Sequence, residues 1–192
     1  MKNRDSWFFS EKFRKYLEGK QEYLLKRWKD IFWESFGEEA KRFFVRETDR
    51  FQNPVGYRVE ECFKGIMEVL FGEFSWEKAQ EPLKRLMQIR AVQEPVPSKA
   101  LNLFLQLKTI LREEIGREII DKFGIEEFLQ LEDRINILTL RAFDYFIKFR
   151  ETLYEIKFNE YRRNTFLLLK RAGLVYDPME GMVKSIPEEE NY

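Results

Sequence analysis

Arg90 is the residue whose type and sequence position most clearly suggest a functional or structural polar site. In the stretch PLKRLMQIRAVQ, the apolar positions 83, 86 and 87 recur at helical spacing and predict that position 90 also faces inward. A buried guanidinium needs a carboxylate or several carbonyl oxygens as partners. Asp144, which stands among apolar neighbours, and Asp49 are the candidate carboxylates. Two interpretations stay open: a structural ion pair that fixes helix register, which is the commoner arrangement, or a contact for an anion or small molecule.

The stretch DRFQNPVGYRV is a second candidate for chemistry. Asn53 is the expected N-cap of a helix, with Pro54 at the first helical position. Tyr57 and Arg58 lie one turn further on, and the free N–H groups of a helix start can bind an anion. The chain contains neither a GxxxxGKS or GxxxxGKT pattern nor a GxGxxG pattern, so no phosphate loop is predicted.

Three neutral polar residues stand close to or within apolar stretches: Gln93, Asn102 and Gln106. They are candidates to line a polar pocket, although capping or exposure on a helix surface is the simpler interpretation. The predicted polar cluster, either a ligand site or a structural network, consists of Asp49, Asn53, Tyr57, Arg90, Gln93 and Asp144. No catalytic, cofactor-binding or metal-ligating residue is predicted.

The composition excludes several classes of function. The 192 residues contain no histidine, which removes histidine-ligated haem, histidine-containing zinc sites, and Ser-His-Asp or Cys-His catalysis. The single cysteine, Cys62, lies at an apolar helical position and is expected to be a buried hydrophobic residue. Acidic and basic residues number 34 each, so no strong field favours nucleic acid as a partner. We therefore expect no cofactor and no enzyme activity.

The N-terminal sequence indicates where the protein resides. MKNRDSWFFSEKF has no apolar signal-peptide core, and no run approaches the roughly 18 apolar residues that span a bilayer. A cytoplasmic location without membrane insertion is expected.

Helical signals fill most of the chain. Ser10 is the expected N-cap of a first helix that passes Gly19, a candidate break, and is capped by Gly37. A shorter helix, EEAKRFFVRET, follows. The next helix runs from Pro54 to Gly72, and its Gly56 is expected to allow a close helix approach.

The following segments are also predicted to be helical. Ser75 should cap a short turn, with Pro82 restarting a helix, and the corner EPVPS should separate this helix from the next. That next helix, SKALNLFLQLKTILREEIGREIIDKF, is apolar on several sides and is expected to be central and buried. It should end at Gly124.

The last predicted helix is the longest, from about Ile125 to Arg171, and is closed by Gly173. Its apolar residues at 128, 131, 135, 138, 142, 146, 149, 153 and 156 form a seam with steps of three and four. The seam could pack within the domain or against a second copy, and both remain open. The basic and aromatic stretch EIKFNEYRRNTFLLLKR favours a solvated helix or a protein-docking surface over nucleic acid or membrane. We therefore expect residues 10–173 to form one helical domain and residues 174–192 to form a flexible acidic tail.

Three blocks of sequence carry a family resemblance. They are DRFQNPVGYRV, QIRAVQEPVPSKALNLFLQLKTILREEIG and RINILTLRAFDYFIKFRETLYEIKFNEYRRN. In this order and spacing they resemble the N-terminal sensor domain of the stressosome RsbT co-antagonist proteins, the RsbR or RsbRD type. The resemblance covers roughly residues 20 to 164.

The resemblance implies an all-α, globin-like domain without haem, with a long C-terminal helix and a dimeric state. In such a fold, the anion or small-molecule contact considered for Arg90 would lie in the pocket where a globin keeps its haem. Family members with the full architecture continue into a phosphorylatable STAS domain. Here only TFLLLKRAGLVY and the acidic tail follow, so a stand-alone member is expected and antagonism of an RsbT-like kinase is in doubt.

We therefore expect a non-catalytic regulatory or sensor domain. It would form a homodimer, sense a small ligand or a protein partner, and signal through its long C-terminal helix. The alternative is an accessory or adaptor protein that docks on a metabolic or redox complex.

Overall fold

The computed structural model describes residues 8–36 and 53–174. Every element in these two ranges is helical, which confirms the predicted all-α class. The helices are α1 (Glu11–Glu34), α2 (Pro54–Phe71), α3 (Trp76–Gln93), α4 (Pro97–Leu111), α5 (Arg117–Phe123) and α6 (Ile125–Arg171), with a π-helical turn, Arg112–Gly116, joining α4 to α5. The chain divides after Arg150 into two compact units.

Local sequence signals determine most helix ends in the first unit. The side chain of Ser10 accepts a hydrogen bond from the Phe13 amide and starts α1, which continues through Gly19 without a break. Gly124, with a φ of 91°, ends α5 as expected. The predicted cap Gly37 and the helix EEAKRFFVRET lie outside the described residues, and α1 ends at the cap Ser35.

Pro82 does not restart a helix, contrary to expectation. Ser75 caps a single helix, α3, and Pro82 lies inside it. A methyl group at Gly65 of α2 would lie only 3.1 Å from the Pro82 ring. Because Gly65 has no side chain, it leaves room for the proline ring. Helix α3 tolerates the loss of the one backbone N–H donor that proline lacks.

The core of the first unit is built around Trp28 of α1. Its ring centroid lies 4.2 Å from that of Phe63 in α2 and 6.0 Å from that of Phe104 in α4. Its indole N–H donates to the carbonyl of Leu103 at 2.7 Å, which satisfies the only polar group of this buried side chain. One residue thus joins three helices.

Helix α4 is not the central, fully buried helix that its apolar sequence suggested. Leu103, Phe104 and Leu107 are buried, but Leu105 is 55% exposed. One face of α4 therefore remains open to solvent.

The part of α6 in the first unit follows the predicted seam. Phe128, Leu131, Ile135, Leu138, Ala142 and Phe146 are all buried. Later seam positions are progressively open, and Ile156 is 51% exposed. Six of the nine seam positions, from Phe128 to Phe146, therefore serve packing within the first unit.

The described part of the second unit is the remainder of α6 with its C-terminal cap. Gly173 has a φ of 71°, and the amide of Leu174 donates to the carbonyl of Leu169 at 2.9 Å. This left-handed glycine closes the helix as predicted.

Candidate functional site

Arg90 lies in the last turn of α3 and is 6% exposed. The buried residues Leu83, Leu86 and Met87 share its side of the helix. The predicted inward orientation of Arg90 is therefore confirmed.

The Arg90 guanidinium is held by neutral oxygens. Nη1 donates to Oγ of Ser35 at 3.3 Å, and Nη2 donates to the carbonyl of Lys99 at 3.2 Å. The charge also lies 5.6 Å from the centroid of the Phe32 ring. Nε is buried and has no hydrogen-bond partner in the described part of the chain.

The expected ion pair between Arg90 and Asp144 is wrong. Asp144 is exposed and lies 3.9 Å from Arg141, one turn away on α6. The reason is helical geometry: Ala142 and Phe146 face the core, and a residue midway between them points to the opposite side. Asp49, the other candidate, lies outside the described residues.

Arg90 lines a pocket of about 330 Å³ in the first unit. The corner after α3 brings the start of α4 next to Arg90, and the end of α1 closes the third side. Asn102 and Gln106, two of the predicted polar residues, line this pocket with Arg90. The other lining residues are Ile31, Phe32, Glu34, Ser35, Glu94, Lys99 and Leu103.

Burial affects the chemistry of Arg90. It lowers the pKa of the guanidinium, and the nearby carboxylate of Glu94 partly opposes this shift. Arginine nevertheless remains protonated in proteins at neutral pH. Glu94 itself accepts a hydrogen bond from the Val96 amide at 3.0 Å, so it helps to fix the corner. The pocket therefore holds a permanent positive charge.

Asn53 has a structural role in a different place. Its side chain accepts from the Gly56 amide at 2.8 Å, and Pro54 occupies the first helical turn, as predicted. A methyl group at Gly56 would lie 2.2–2.6 Å from the Asn53 side chain. Gly56 therefore makes room for the cap.

Tyr57 and Gln93 lie on a second, larger pocket, of about 880 Å³, between α2 and α3. Arg58, Arg85 and Val92 share its wall. The predicted polar cluster is thus divided between separate places, since Tyr57 and Gln93 line this pocket and Arg90 lines the other.

Arg134 of α6 is a buried arginine that was not predicted. It is fully buried, and its Nη1 donates at 2.8 Å to the carbonyls of both Leu70 and Gly72, at the end of α2. Its guanidinium carbon lies 3.6 Å from the centroid of the Phe9 ring. Burial lowers the pKa of Arg134 to about 10. Its spacing of three residues from Leu131 could have indicated its inward position.

In the second unit, α6 carries an apolar row of side chains. This row was not predicted separately from the basic and aromatic stretch in which it lies. Tyr154, Phe158, Tyr161, Thr165 and Leu168 follow one another at steps of four and three. Phe158 is 67% exposed and Tyr161 is 78% exposed. We call these five residues the exposed stripe.

Comparisons with protein families, with curated proteins and with solved structures found no match to this chain. Among residues 8–36 and 53–174, no group of acidic or cysteine side chains has the arrangement of a metal site. Within the same residues, no helix has the length and apolar character that a membrane crossing requires.

Proposed function

We propose that this chain is a non-catalytic regulatory domain that acts as a homodimer, with two copies joined along the exposed stripe. The observation that carries the proposal is the stripe itself, an apolar row on the helical part of the second unit. The absence of histidine from the sequence supports a role without catalysis. The resemblance to RsbRD-type sensor domains, which implies a haem-free globin-like dimer, points the same way.

The spacing of the stripe suits helix-to-helix packing. Steps of four and three keep residues on one side of a helix and let two helices interlock side chains. At about 100° per residue, these positions span a narrow arc of the helix. Within this arc, no charged residue occurs between Thr152 and Ala172. The arc is therefore suited to burial against a partner.

A second copy is the occupant that fits the stripe best. It presents the same spacing, so one surface satisfies both partners in a symmetric contact. The chain has no net charge, so two copies experience no long-range repulsion as they meet. A large exposed row of aromatic side chains on a single helix is otherwise costly in water.

Helix α6 gives the proposed dimer a route for signalling. It is continuous from Ile125 to Arg171, with the buried seam early and the exposed stripe late. A change in packing along the seam would rotate or shift the stripe, which alters how two copies meet. This is how a domain without catalytic groups would transmit a signal.

The test is the mass of the protein in solution, measured by light scattering during gel filtration. The measured mass of the native protein should be about twice the 23.5 kDa mass of one chain. The double variant Phe158→Glu/Leu168→Glu should be monomeric. Ile156→Glu is the matched control, because Ile156 is also apolar and exposed but lies on the other side of the helix. It should remain dimeric.

Two results would contradict the proposal. A stripe variant that keeps the native mass would show that copies meet elsewhere. A monomeric native chain would rule out the homodimer and favour the alternative, an adaptor that uses the stripe to dock on another protein.

A further inference from the structure

The Arg90 pocket contains an incompletely used set of hydrogen-bond donors. A guanidinium has five N–H groups, and Arg90 uses one on each terminal nitrogen, toward Ser35 and Lys99. Both bonds are long for a charged donor, at 3.3 and 3.2 Å. The N–H of Nε has no acceptor among the described residues.

The charge of Arg90 is also incompletely compensated. Arg90 forms no ion pair with residues 8–36 or 53–174 although it is only 6% exposed, and the carboxylate of Glu94 compensates its charge only in part. A buried charge without an ionic partner is costly, and proteins usually pair it. A ligand that brings a carboxylate would supply the missing partner.

We propose that this pocket binds a small monocarboxylate, with its carboxylate group against the Arg90 guanidinium. The planar fork of arginine matches the two oxygens of a carboxylate. The side-chain amides of Asn102 and Gln106 line the same pocket and can donate further hydrogen bonds. Ile31 and Leu103 give the remaining wall an apolar part that suits a short hydrocarbon chain.

The charges around the pocket favour a single negative charge on the ligand. Arg90 and Lys99 are cationic, and Glu34 and Glu94 are anionic, so the lining is neutral before the ligand enters. A dianionic phosphate would lose more hydration on entering than a monocarboxylate would, and a lining without net charge would not compensate for that loss. The volume of about 330 Å³ is at the small end for ligand sites and suits a molecule of a few carbon atoms.

The proposed binding site depends only on this geometry, whereas the idea that its ligand is the signal rests on the proposed function. Failure of the site and failure of the homodimer can be distinguished by experiment. A dimer that binds no carboxylate contradicts only the site, and a monomer that binds one contradicts only the homodimer.

Butyrate and its uncharged amide, butyramide, are the matched probes for the site. Titrations of the full chain should be followed by calorimetry and by the NMR signal of the Arg90 Nε–H group. Butyrate should bind and shift that signal, while butyramide should bind at least roughly 10-fold more weakly because it lacks the charge. Inorganic phosphate should also bind more weakly than butyrate.

Variants locate the binding. Arg90→Gln should weaken butyrate binding roughly 10- to 100-fold, the usual worth of a hydrogen bond to a charged group. Arg85→Gln on the same helix is the control, because Arg85 pairs with Glu81 on the exposed surface and should leave binding unchanged. Asn102→Leu is a second test, since Asn102 is exposed and its loss should weaken binding without unfolding the chain.

Three results would overturn the proposal. They are no butyrate binding at millimolar concentrations, equal binding of butyrate and butyramide, and unchanged binding in both Arg90→Gln and Asn102→Leu. If Arg90→Gln fails to fold, the Nε–H signal of the native chain and the Asn102 variant still decide the question.

Discussion

Substitution of Gly56 by alanine should have opposite effects on stability in two backgrounds. In the native chain, the added methyl group would lie 2.2–2.6 Å from the side chain of Asn53 and displace it. The cap bond from the Gly56 amide to Asn53 Oδ1, now 2.8 Å, would then be lost. In the Asn53→Ala background, the obstructing amide is absent, and the methyl group meets no such obstacle.

The magnitudes follow from the cap and from helix propensity. Loss of an asparagine N-cap costs about 1–2 kcal/mol, with the upper part expected for a buried side chain such as Asn53. Glycine to alanine within a helix gains about 0.5–1 kcal/mol. Gly56→Ala should thus destabilise the native chain by roughly 0.5–1 kcal/mol and stabilise Asn53→Ala by a similar amount. The difference between the effects of Gly56→Ala in the two backgrounds approximates the free energy that the Asn53 cap contributes to folding.

Urea unfolding followed by circular dichroism measures all four proteins of this cycle. Gly19→Ala is the control, because a methyl group at Gly19 meets nothing within 4 Å. It should stabilise the native chain and Asn53→Ala equally, by about 0.5–1 kcal/mol. If Gly56→Ala also had the same effect in both backgrounds, to within about 0.5 kcal/mol, the cap would not occupy the space beside Gly56, and our explanation of this glycine would be wrong.

Two further predictions concern ionisable groups. Hydrogen bonds from Lys122, at 2.7 Å, and Tyr16, at 2.6 Å, lower the pKa of Glu118 from 4.5 to about 2. Because the pKa of Glu118 is lower in the folded chain than in the unfolded chain, this stabilisation is present above about pH 4.5 and is lost as the pH falls toward 2. The urea midpoint should therefore fall less steeply with decreasing pH in Glu118→Gln than in the native chain. An equally steep fall in both proteins would contradict this prediction. Burial raises the pKa of the Cys62 thiol to about 11. A disulfide reagent at neutral pH should therefore modify Cys62 only after the chain unfolds. Rapid reaction of the folded chain would show that Cys62 is not a buried, protonated thiol.

The helix ends were the most predictable part of the fold. Asn53 followed by proline, Ser10, Ser75 and Gly124 each satisfy or end backbone hydrogen bonding through a local mechanism. Such effects involve residues within one turn of each other, so the sequence contains all the information that they need. The inward position of Arg90 was predictable for the same reason, since it follows from periodicity within α3.

The partners of Arg90 could not be predicted, because they depend on contacts between helices. Ser35 comes from the end of α1 and Lys99 from the start of α4. Asp144 looked suitable from its apolar neighbours in sequence, but in a helix the neighbours at steps of one and two face other directions. Pro82 is a similar case, since its ring packs closely against Gly65 in another helix.

The two buried arginines differ in how their charges are compensated, and this difference supports a ligand role for Arg90. Arg134 places one nitrogen 2.8 Å from two carbonyls at the C-terminal end of α2, where the helix dipole is negative, and stacks on Phe9 at 3.6 Å. Its short bonds join α6 to α2, so a structural role accounts for its burial. Arg90 makes two longer bonds, of 3.3 and 3.2 Å, and lines a pocket. Short contacts within the fold account for the burial of Arg134, whereas the long bonds of Arg90 and its position on a pocket are what the proposed carboxylate ligand would explain.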